Sequence, residues 1–460
     1  MEVNHLVREI ENLEIENIIV RKYNRNFQIY PWIKSRIFHK VIMGNEVLQE
    51  KNKSVFWSQF KSLSYGFFNL FKRYDVWVFT NSSERVLVDN KYWDKSFDFL
   101  AKESNLKWLT VELCLFKKYK RKSVASKHVI SRSIFIFVEE FYTLLFLRRK
   151  PVIEGRKVLD QVQQKLQTTV DTDGIIKKYL AQYRVMKFFL RILPKPKFIF
   201  LTVSYANFGY IQAWKEAGIK VIEMQHGLIG EEHYGYFYGK KLNSIQFPDE
   251  ICVFGDADVR FFQEFTKMPV QKATPLGRSI IDYFKIKASP NRLPIKRIVV
   301  SLQDSDWSIE LLNFVLECDK IMSNKITWII QTRRTSASEY QSKYDFPSNF
   351  EFSEVSVYEA ISKTDAHLTI FSTTSIESLS IGKATFLYNY KNAAKDFLGS
   401  FLENNKHVYF CDSVEEFVKN LENLPLISNE EIASSNDDNI VNGYLERSKE
   451  YLKKLLNESI

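Results

Sequence analysis

The chain has 460 residues, of which 45% are hydrophobic and 26% charged, and its formal net charge is +10. This length allows two or three domains with cores of their own, and the composition excludes a disordered or fibrous chain. The four cysteines lie far apart without a C-x-x-C pair, so we expect reduced, buried thiols rather than disulfides, and no metal site.

We expect neither a secretory leader nor a membrane span from this sequence. Residues 1–17 are charged and lack an apolar centre. The most apolar stretch, residues 134–147, contains Glu139 and Glu140 and is too short to cross a bilayer. We therefore expect a cytoplasmic protein, with the inner face of the cell membrane as a candidate docking surface.

Positive charge concentrates in the first 150 residues, where residues 117–122 read KKYKRK and residues 148–150 read RRK. Beside aromatic side chains, such a surface suits an anionic membrane, where each Lys or Arg is worth about 1 kcal/mol. A solvated face beside a packed helix explains the charges equally well. Nucleic acid is not an expected partner, because no nucleic-acid-binding motif is present.

From residue 74 onward, short β-branched or aromatic runs alternate with helical patterns, which is typical of a parallel sheet covered by helices. Residues 1–72 are more helical and less regular. Strands are predicted at 75–80, 106–113, 197–204, 219–225 and 250–255, with helices at 152–168, 174–193 and 207–217.

A second series of strands begins after Ser289 and Pro290. These strands are predicted at 297–303, 326–331, 366–371, 385–388 and 407–411, with a helix at 308–322 that the cluster Asp304, Ser305 and Asp306 would cap.

The two series predict an α/β fold of two doubly wound Rossmann-like domains that face a cleft, with a helical N-terminal region. The predicted units are residues 1–72, 73–288, 289–430 and a C-terminal helix at 431–460. Ligands bind at the carboxyl ends of the strands in such sheets, so we expect the functional residues there.

The clearest motif lies at residues 364–389. A strand is followed by four hydroxyl residues, and Glu377 comes one turn into the next helix; the hydroxyls belong to Ser372, Thr373, Thr374 and Ser375. Hydroxyls and free N–H groups at a helix N-terminus form an anion site that suits nucleotide phosphates. Thr374-x-x-Glu377 equally fits a capping box that only satisfies the helix end.

This motif resembles the donor-domain motif of GT-B glycosyltransferases that build bacterial surface polymers. The matching positions are Asp365, Ser372-Thr373-Thr374, Glu377 and Gly382-Lys383, with Ala384 where these enzymes commonly carry proline. The resemblance implies a metal-independent glycosyltransferase whose second domain binds a nucleotide-sugar and whose first domain binds a glycan or lipid-linked glycan acceptor. No other cofactor is implied. Residues 372–375 would hold the donor phosphates, and Glu377 would hold the ribose.

The second motif is VIEMQHGLIG at residues 221–230, which delivers Gln225, His226 and Gly227 to a strand end. His226 is a candidate general base or a proton donor to phosphate, or it only braces the loop. Gln225 is a candidate acceptor contact. The segment resembles capsule and lipopolysaccharide transferases, including Kdo-transferring enzymes. The resemblance favours a CMP-activated acidic sugar and leaves UDP-, GDP- and dTDP-sugars open.

The loop that follows, EEHYGYFYG, contains further polar candidates. Glu231 and Glu232 are candidates for a catalytic carboxylate, and His233 for an acceptor contact. Solvated loop charges explain the two glutamates equally well.

Three more strand ends complete the predicted cleft. Residues 253–282 resemble the same transferases and the epimerases allied to them, with Gly277 as a turn and Arg278 facing a phosphate. At residues 331–334 the His-Pro that those enzymes often carry is absent, so Arg333 or Arg334 would bind phosphate beside Gln303. In the first domain, Ser82, Ser83 and Arg85 are acceptor candidates, although a capped turn explains them equally well.

These motifs together predict transfer of a sugar from a nucleotide donor to a cell-surface glycan precursor. Two alternatives stay open. One is a sugar-nucleotide epimerase of the same architecture. The other is a non-catalytic partner protein of this fold, which would tolerate loss of His226.

Overall fold

The computed structural model describes residues 3–43, 57, 59–114, 123–303, 306–333 and 335–458. The predicted basic run at 117–122 lies outside the described residues, as do Asp304, Ser305 and Arg334.

The strands and helices follow the predicted alternation. The strands are β1 (Ile19–Lys22), β2 (Arg25–Gln28), β3 (Val76–Asn81), β4 (Arg85–Val88), β5 (Lys91–Asp94), β6 (Trp108–Leu113), β7 (Val129–Ser131), β8 (Ile153–Glu154), β9 (Phe198–Leu201), β10 (Lys220–Met224), β11 (Glu250–Val253), β12 (Lys272–Pro275), β13 (Arg297–Ser301), β14 (Thr327–Gln331), β15 (Phe350–Phe352), β16 (Ala366–Thr369), β17 (Ala384–Tyr388) and β18 (Val408–Cys411). The helices are α1 (Val3–Glu11), α2 (Tyr30–Met43), α3 (Asp98–Glu103), α4 (Ser133–Phe146), α5 (Arg156–Lys165), α6 (Thr172–Ile192), α7 (Phe208–Lys215), α8 (Asp256–Arg260), α9 (Ser279–Ile286), α10 (Asp306–Met322), α11 (Ala337–Gln341), α12 (Val357–Ser362), α13 (Thr374–Ile381), α14 (Ala393–Leu402), α15 (Val414–Glu422), α16 (Asn429–Ser434) and α17 (Tyr444–Asn457).

Two parallel sheets form the body of the molecule. The first has the order β12-β11-β10-β9-β3-β6-β7 and the second the order β15-β14-β13-β16-β17-β18. All neighbouring strands within each sheet run parallel. The winding direction reverses between β3 and β9 and again between β13 and β16. The predicted fold class of two doubly wound Rossmann-like sheets is therefore confirmed.

Each sheet has a core of its own. The strands are mostly apolar because helices cover both faces of each sheet; in β3, for example, residues 76–80 are all buried. Trp77 and Trp214 lie in the core of the first sheet, and Trp328 and Phe386 in that of the second. The region before β3 adds α1, α2 and the β1–β2 hairpin, which pairs with β8.

The chain returns to the first sheet at its end. In place of one helix over residues 431–460, the structure has α16 on the second sheet and α17 on the first, where Tyr444 and Tyr451 pack with Phe200. Residues 435–443 connect the two helices and pass between the sheets: Val441 N–H donates to Phe254 O at 2.9 Å. None of the helices in the described ranges is long and apolar enough to cross a bilayer.

Candidate functional site

The carboxyl ends of the two sheets meet at a narrow cleft. Its lining combines loops that follow β10, β11, β12 and β16 with the segment before α17, and includes Leu228, Phe254, Asp258, Arg278, Thr373, Ile376, Glu377, Phe401, Asn439 and Ile440. The free space at its centre is about 10 Å³, which holds about one water molecule. In this conformation the two domains are therefore nearly closed on each other.

A buried ion pair joins the domains across this cleft. Arg278, which follows β12, pairs with Glu377 of α13, and both side chains are almost fully buried. Tyr358 OH donates to Glu377 Oε1 at 3.1 Å, and the Arg278 guanidinium lies 4.9 Å from the ring centre of Phe254. The predicted phosphate and ribose contacts are thus brought together, and each neutralises the other.

The turn before Arg278 requires glycine. Gly277 has a φ of +79°, and a Cβ there would lie 2.2 Å from Val441 O. The predicted turn at Gly277 is confirmed. It fixes the backbone from which Arg278 enters the cleft.

The start of α13 is not the capping box that the sequence allows. The helix begins at Thr374, and the preceding Thr373 makes no side-chain cap. Ser372 Oγ instead accepts from the N–H of Thr374 at 3.3 Å, and Glu377 is turned toward Arg278. Thr374 Oγ1 and Ser375 Oγ are buried without a hydrogen-bond partner among the described residues. The capping-box alternative is wrong, and two buried hydroxyls are left without a hydrogen-bond partner among the described residues.

The other donor-side candidates lie at neighbouring strand ends. Gln303 follows β13, Arg333 follows β14, and the hydroxyl turn (residues 372–375) follows β16; β14, β13 and β16 are adjacent. The β13–β16 gap is where the winding direction reverses, the usual ligand crevice in such sheets. Gln303 Oε1 is buried without a partner among the described residues, whereas Arg333 is exposed.

His226 follows β10 and is held by two tyrosines. Its Nδ1 lies 3.3 Å from Tyr236 OH, and its Nε2 lies 3.5 Å from Tyr205 OH. Tyr236 OH donates its single proton to Glu223 Oε1 at 2.8 Å, so its oxygen accepts from His226 Nδ1–H. In the tautomer that carries its proton on Nδ1, His226 has its basic lone pair on Nε2, which faces Tyr205 OH.

Glu223 is the buried end of this chain of groups. It is fully buried in β10 and also accepts from the N–H of Ser204 at 2.9 Å. Burial raises the pKa of Glu223 to about 7, although the hydrogen bonds from Ser204 and Tyr236 oppose the rise. Glu223 is not among the site residues predicted from the sequence. The signal that could have found it is a carboxylate inside an otherwise apolar strand, VIEM.

Opposing charges surround the imidazole. Burial lowers the pKa of His226, Glu84 opposes this effect, and Lys95 and Arg278 strengthen it. Burial also raises the pKa of Glu84, but Lys95, whose Nζ lies 3.0 Å from Glu84 Oε2, and His226 hold it below its ordinary value. His226 is therefore neutral at pH 7, with an anion close enough to stabilise its protonated form.

The acceptor candidates at the end of β3 require a correction. Ser82 is fully buried. Arg85 is buried too: its Nε donates to Glu112 Oε2 at 2.6 Å, and a second nitrogen donates to Asp98 at 3.1 Å. The acceptor-binding prediction is wrong for both residues, because neither side chain reaches the cleft surface. Glu84, between them in sequence, is the group at this strand end that interacts with His226.

Gln225 shapes the site and does not present a free amide to an acceptor. Its Oε1 accepts from the N–H of Phe254 at 2.6 Å, and its Nε2 donates to Gly227 O at 2.9 Å. Both ends of the side chain are thus used to connect β11 to the turn after His226. The acceptor-binding prediction for Gln225 is replaced by a positioning role.

The two loop glutamates bind the N-terminal helix. Glu232 Oε2 accepts from the N–H of Val3 at 2.6 Å, and Glu231 Oε2 lies 3.4 Å from the Arg8 guanidinium. Asn4 also donates to Glu231, at 3.3 Å. Glu232 is exposed and Glu231 partly exposed, as the solvated-charge alternative predicts, and both also hold α1 against the first domain. A catalytic role for either glutamate remains a prediction.

His233 stays beside His226, with 6.5 Å between the ring centres. Its Nδ1 accepts from the N–H of Gly235 at 3.2 Å, and burial lowers its pKa to about 3. This neutral imidazole supports the loop around Tyr236. Contact with an acceptor remains a prediction for His233.

No family model and no curated protein matches this sequence. Among solved structures, a UDP-N-acetylglucosamine 2-epimerase is similar at 12% identity, over 84% of this chain and 96% of that chain, with a TM-score of 0.49. The calicheamicin glycosyltransferase CalG4 is similar at 13% identity (84% and 99%, TM-score 0.48). The wall teichoic acid polymerase TagF is similar at 11% identity (93% and 98%, TM-score 0.45). At these values the fold assignment rests on the strand order of the two sheets.

Proposed function

We propose that this chain is a glycosyltransferase that moves a sugar from a nucleotide donor to an acceptor hydroxyl in the cleft. The observation that carries the proposal is the position of His226 after β10, between Tyr236 and Tyr205. Tyr236 and Glu223 orient it, and its Nε2 is left basic. Arg278 connects it electrostatically to the hydroxyl-rich start of α13. A base and an anion site thus border one cleft.

On the acceptor side, His226 Nε2 takes the proton of the attacking hydroxyl as the hydroxyl oxygen bonds to the anomeric carbon. The bond from that carbon to the phosphate oxygen of the nucleotide breaks, and the nucleotide leaves with both electrons. The positive charge that forms on the imidazole is stabilised by Glu84, whose carboxylate already raises the pKa of His226. Tyr236 accepts from Nδ1–H throughout and keeps the ring in one orientation. A base of this kind contributes about 10²- to 10⁴-fold to the rate.

On the donor side, the leaving phosphate binds at the start of α13, where the helix dipole and the hydroxyls of Thr374 and Ser375 stabilise negative charge. The donor separates the Arg278–Glu377 pair by giving each residue a new partner. Ribose hydroxyls donate to Glu377, and phosphate oxygens accept from Arg278. This exchange opens the cleft while Arg278 keeps an anionic partner and Glu377 keeps hydrogen-bond donors.

The donor class follows from the sequence resemblance, which favours a CMP-activated sugar, and the acceptor is a glycan or a lipid-linked glycan. Thermal shift with CMP, CDP, UDP, GDP, dTDP and their sugars tests the donor. A bound nucleotide at about 100 times its dissociation constant adds about 2.7 kcal/mol to the free energy of unfolding.

We expect the nucleotides of one nucleobase to stabilise both the wild type and the Ser356→Ala control, because the Ser356 side chain only caps α12. The Ser375→Ala and Glu377→Gln variants should lose that shift. A shift that survives in both variants would place the nucleotide elsewhere.

Catalysis is tested by transfer of sugar to a glycan acceptor with His226→Gln, which retains a polar side chain but no base. We expect a loss of at least about 10²-fold in kcat. The same donor is incubated without acceptor and followed by NMR. Epimerised sugar would replace the proposal with an epimerase, and unchanged activity in His226→Gln would remove His226 as the base.

A further inference from the structure

A group of apolar side chains at the end of α4 points into solvent. Phe141, Leu144 and Phe146 are 62%, 65% and 63% exposed, and Leu145 is exposed as well. Three basic residues, Arg148, Arg149 and Lys150, follow immediately and are also exposed. Contiguous exposed apolar side chains of this size mark an interaction surface rather than ordinary protein exterior.

A second segment of the same kind lies before β3. In the 3₁₀ helix Phe67–Phe71, Phe68 is 81% and Phe71 57% exposed, and the exposed Lys72 and Arg73 follow. This helix packs on β7, where Asn69 Nδ2 donates to Val129 O at 3.4 Å. The helix α4 begins just after β7, so both segments belong to elements that neighbour the same edge strand of the first sheet.

We propose that these two segments, residues 67–73 and 141–150, form a surface that docks on an anionic lipid bilayer. We call them the apolar–basic surface. They contain five Lys or Arg residues and no Asp or Glu. Aromatic and leucine side chains enter the boundary between headgroups and acyl chains, and the cations pair with anionic headgroups. This charge pattern favours a membrane over a second copy of the chain, because two such surfaces repel each other.

The test uses the full chain and sedimentation with vesicles of pure phosphatidylcholine or with about a third phosphatidylglycerol. The charge variant is Arg149→Ala with Lys150→Ala. Arg148 is kept, because its Nε donates to Leu144 O at 2.9 Å and completes the helix end. The matched control, Lys320→Ala with Lys325→Ala, removes the same charge from an exposed face of the second domain.

We expect wild type and control to bind the anionic vesicles preferentially and the charge variant to bind about 30-fold more weakly. Phe141→Gln with Leu144→Gln should weaken binding at least about tenfold and leave the melting temperature unchanged, since both side chains are exposed. Equal binding to both vesicles by wild type, or an equal loss in the control, would overturn the proposal. The proposal would also be overturned if the wild type failed to bind vesicles and instead self-associated, with Phe141→Gln and Leu144→Gln together abolishing the self-association.

Discussion

Two kinds of helix start share one sequence pattern in the second domain. In the described part of that domain, four helices begin with a Ser-x-x-Glu pattern in which the serine caps the helix and its hydroxyl accepts from the N–H of the glutamate. These helices are α11, α12, α15 and α16, and the serines are Ser336, Ser356, Ser413 and Ser428. At α13 the pattern is Thr374-x-x-Glu377, and no such bond forms. The carboxylate of Glu377 is instead buried against Arg278 of the first domain.

The difference shows what decides the role of a capping pattern. At the other four helices each serine hydroxyl accepts from the N–H of the glutamate three residues later, so the cap forms. At α13 a cation that lies 99 positions earlier in the sequence reaches the glutamate across the cleft, and the hydroxyls are left for another partner. A local pattern is thus overridden where two domains meet, which is where ligands bind.

The largest difference between the two kinds of helix start should be the loss of stability when the glutamate is replaced. Glu377→Ala leaves Arg278 buried without its counter-charge, so we expect a loss of about 3–5 kcal/mol in the free energy of unfolding. Glu359→Ala, at the Ser356 cap, removes only an exposed pair with Lys363 and should lose about 0.5 kcal/mol. Urea denaturation measures both values.

A double variant distinguishes charge burial from packing. Glu377→Leu with Arg278→Leu removes both charges and should recover most of the stability that Glu377→Ala loses. It should not recover the nucleotide-dependent shift. Equal destabilisation by Glu377→Ala and Glu359→Ala would show that the buried pair with Arg278 does not distinguish the start of α13 from that of α12.

A fully buried carboxylate, Glu223, should respond to pH in the opposite direction from a partly buried one, Glu216. The pKa of Glu223 is raised from 4.5 to about 7, chiefly by burial, so its contribution to stability falls as pH rises through this range. Glu223→Gln removes that fall. Relative to wild type, the variant should gain on the order of 3 kcal/mol between about pH 4.5 and pH 8.

Glu216 is the matched control for this prediction. Although burial raises its pKa, hydrogen bonds from Gln212, Tyr183 and Lys187 hold it below its ordinary value. Its stabilising contribution is therefore present at high pH and lost as pH falls. Glu216→Gln should lose stability relative to wild type as pH rises, and the same direction in both variants would contradict the assignment of Glu223.

Replacing the hydroxyl residues should give smaller differences in the free energy of unfolding between the two kinds of helix start. Ser356→Ala removes a formed cap and should lower the free energy of unfolding by about 1 kcal/mol. Ser375→Ala removes a buried hydroxyl that has no partner among the described residues, so stability should stay the same or rise slightly. Thermal melts with and without nucleotide measure both effects, because only Ser375→Ala should lose the ligand response.

Sequence patterns were sufficient for the architecture because continuous apolar strands between helices leave few alternatives to a doubly wound sheet. They also predicted that His226, Arg278 and the hydroxyl turn lie at strand ends. They failed where the partner is distant in sequence. Nothing local distinguishes Arg85, which is buried with Glu112, from an arginine that faces a ligand. Tyr358 reaches Glu377 only through packing of α12 beside α13.

The smallest expected effect concerns the pH dependence of the proposed reaction. Glu84 raises the pKa of His226 against the larger lowering by burial, so Glu84→Gln should lower that pKa further. A general base works only when it is unprotonated, and the acid limb of kcat/KM should therefore move to lower pH. Glu232→Gln makes the same charge change in the loop that binds α1 and should leave the limb in place. The position of the limb does not depend on the amount of folded enzyme, so it reports on the charge beside His226 even if the variant is less stable. A limb that moves to higher pH, or that moves equally in Glu232→Gln, would mean that another group controls the titration.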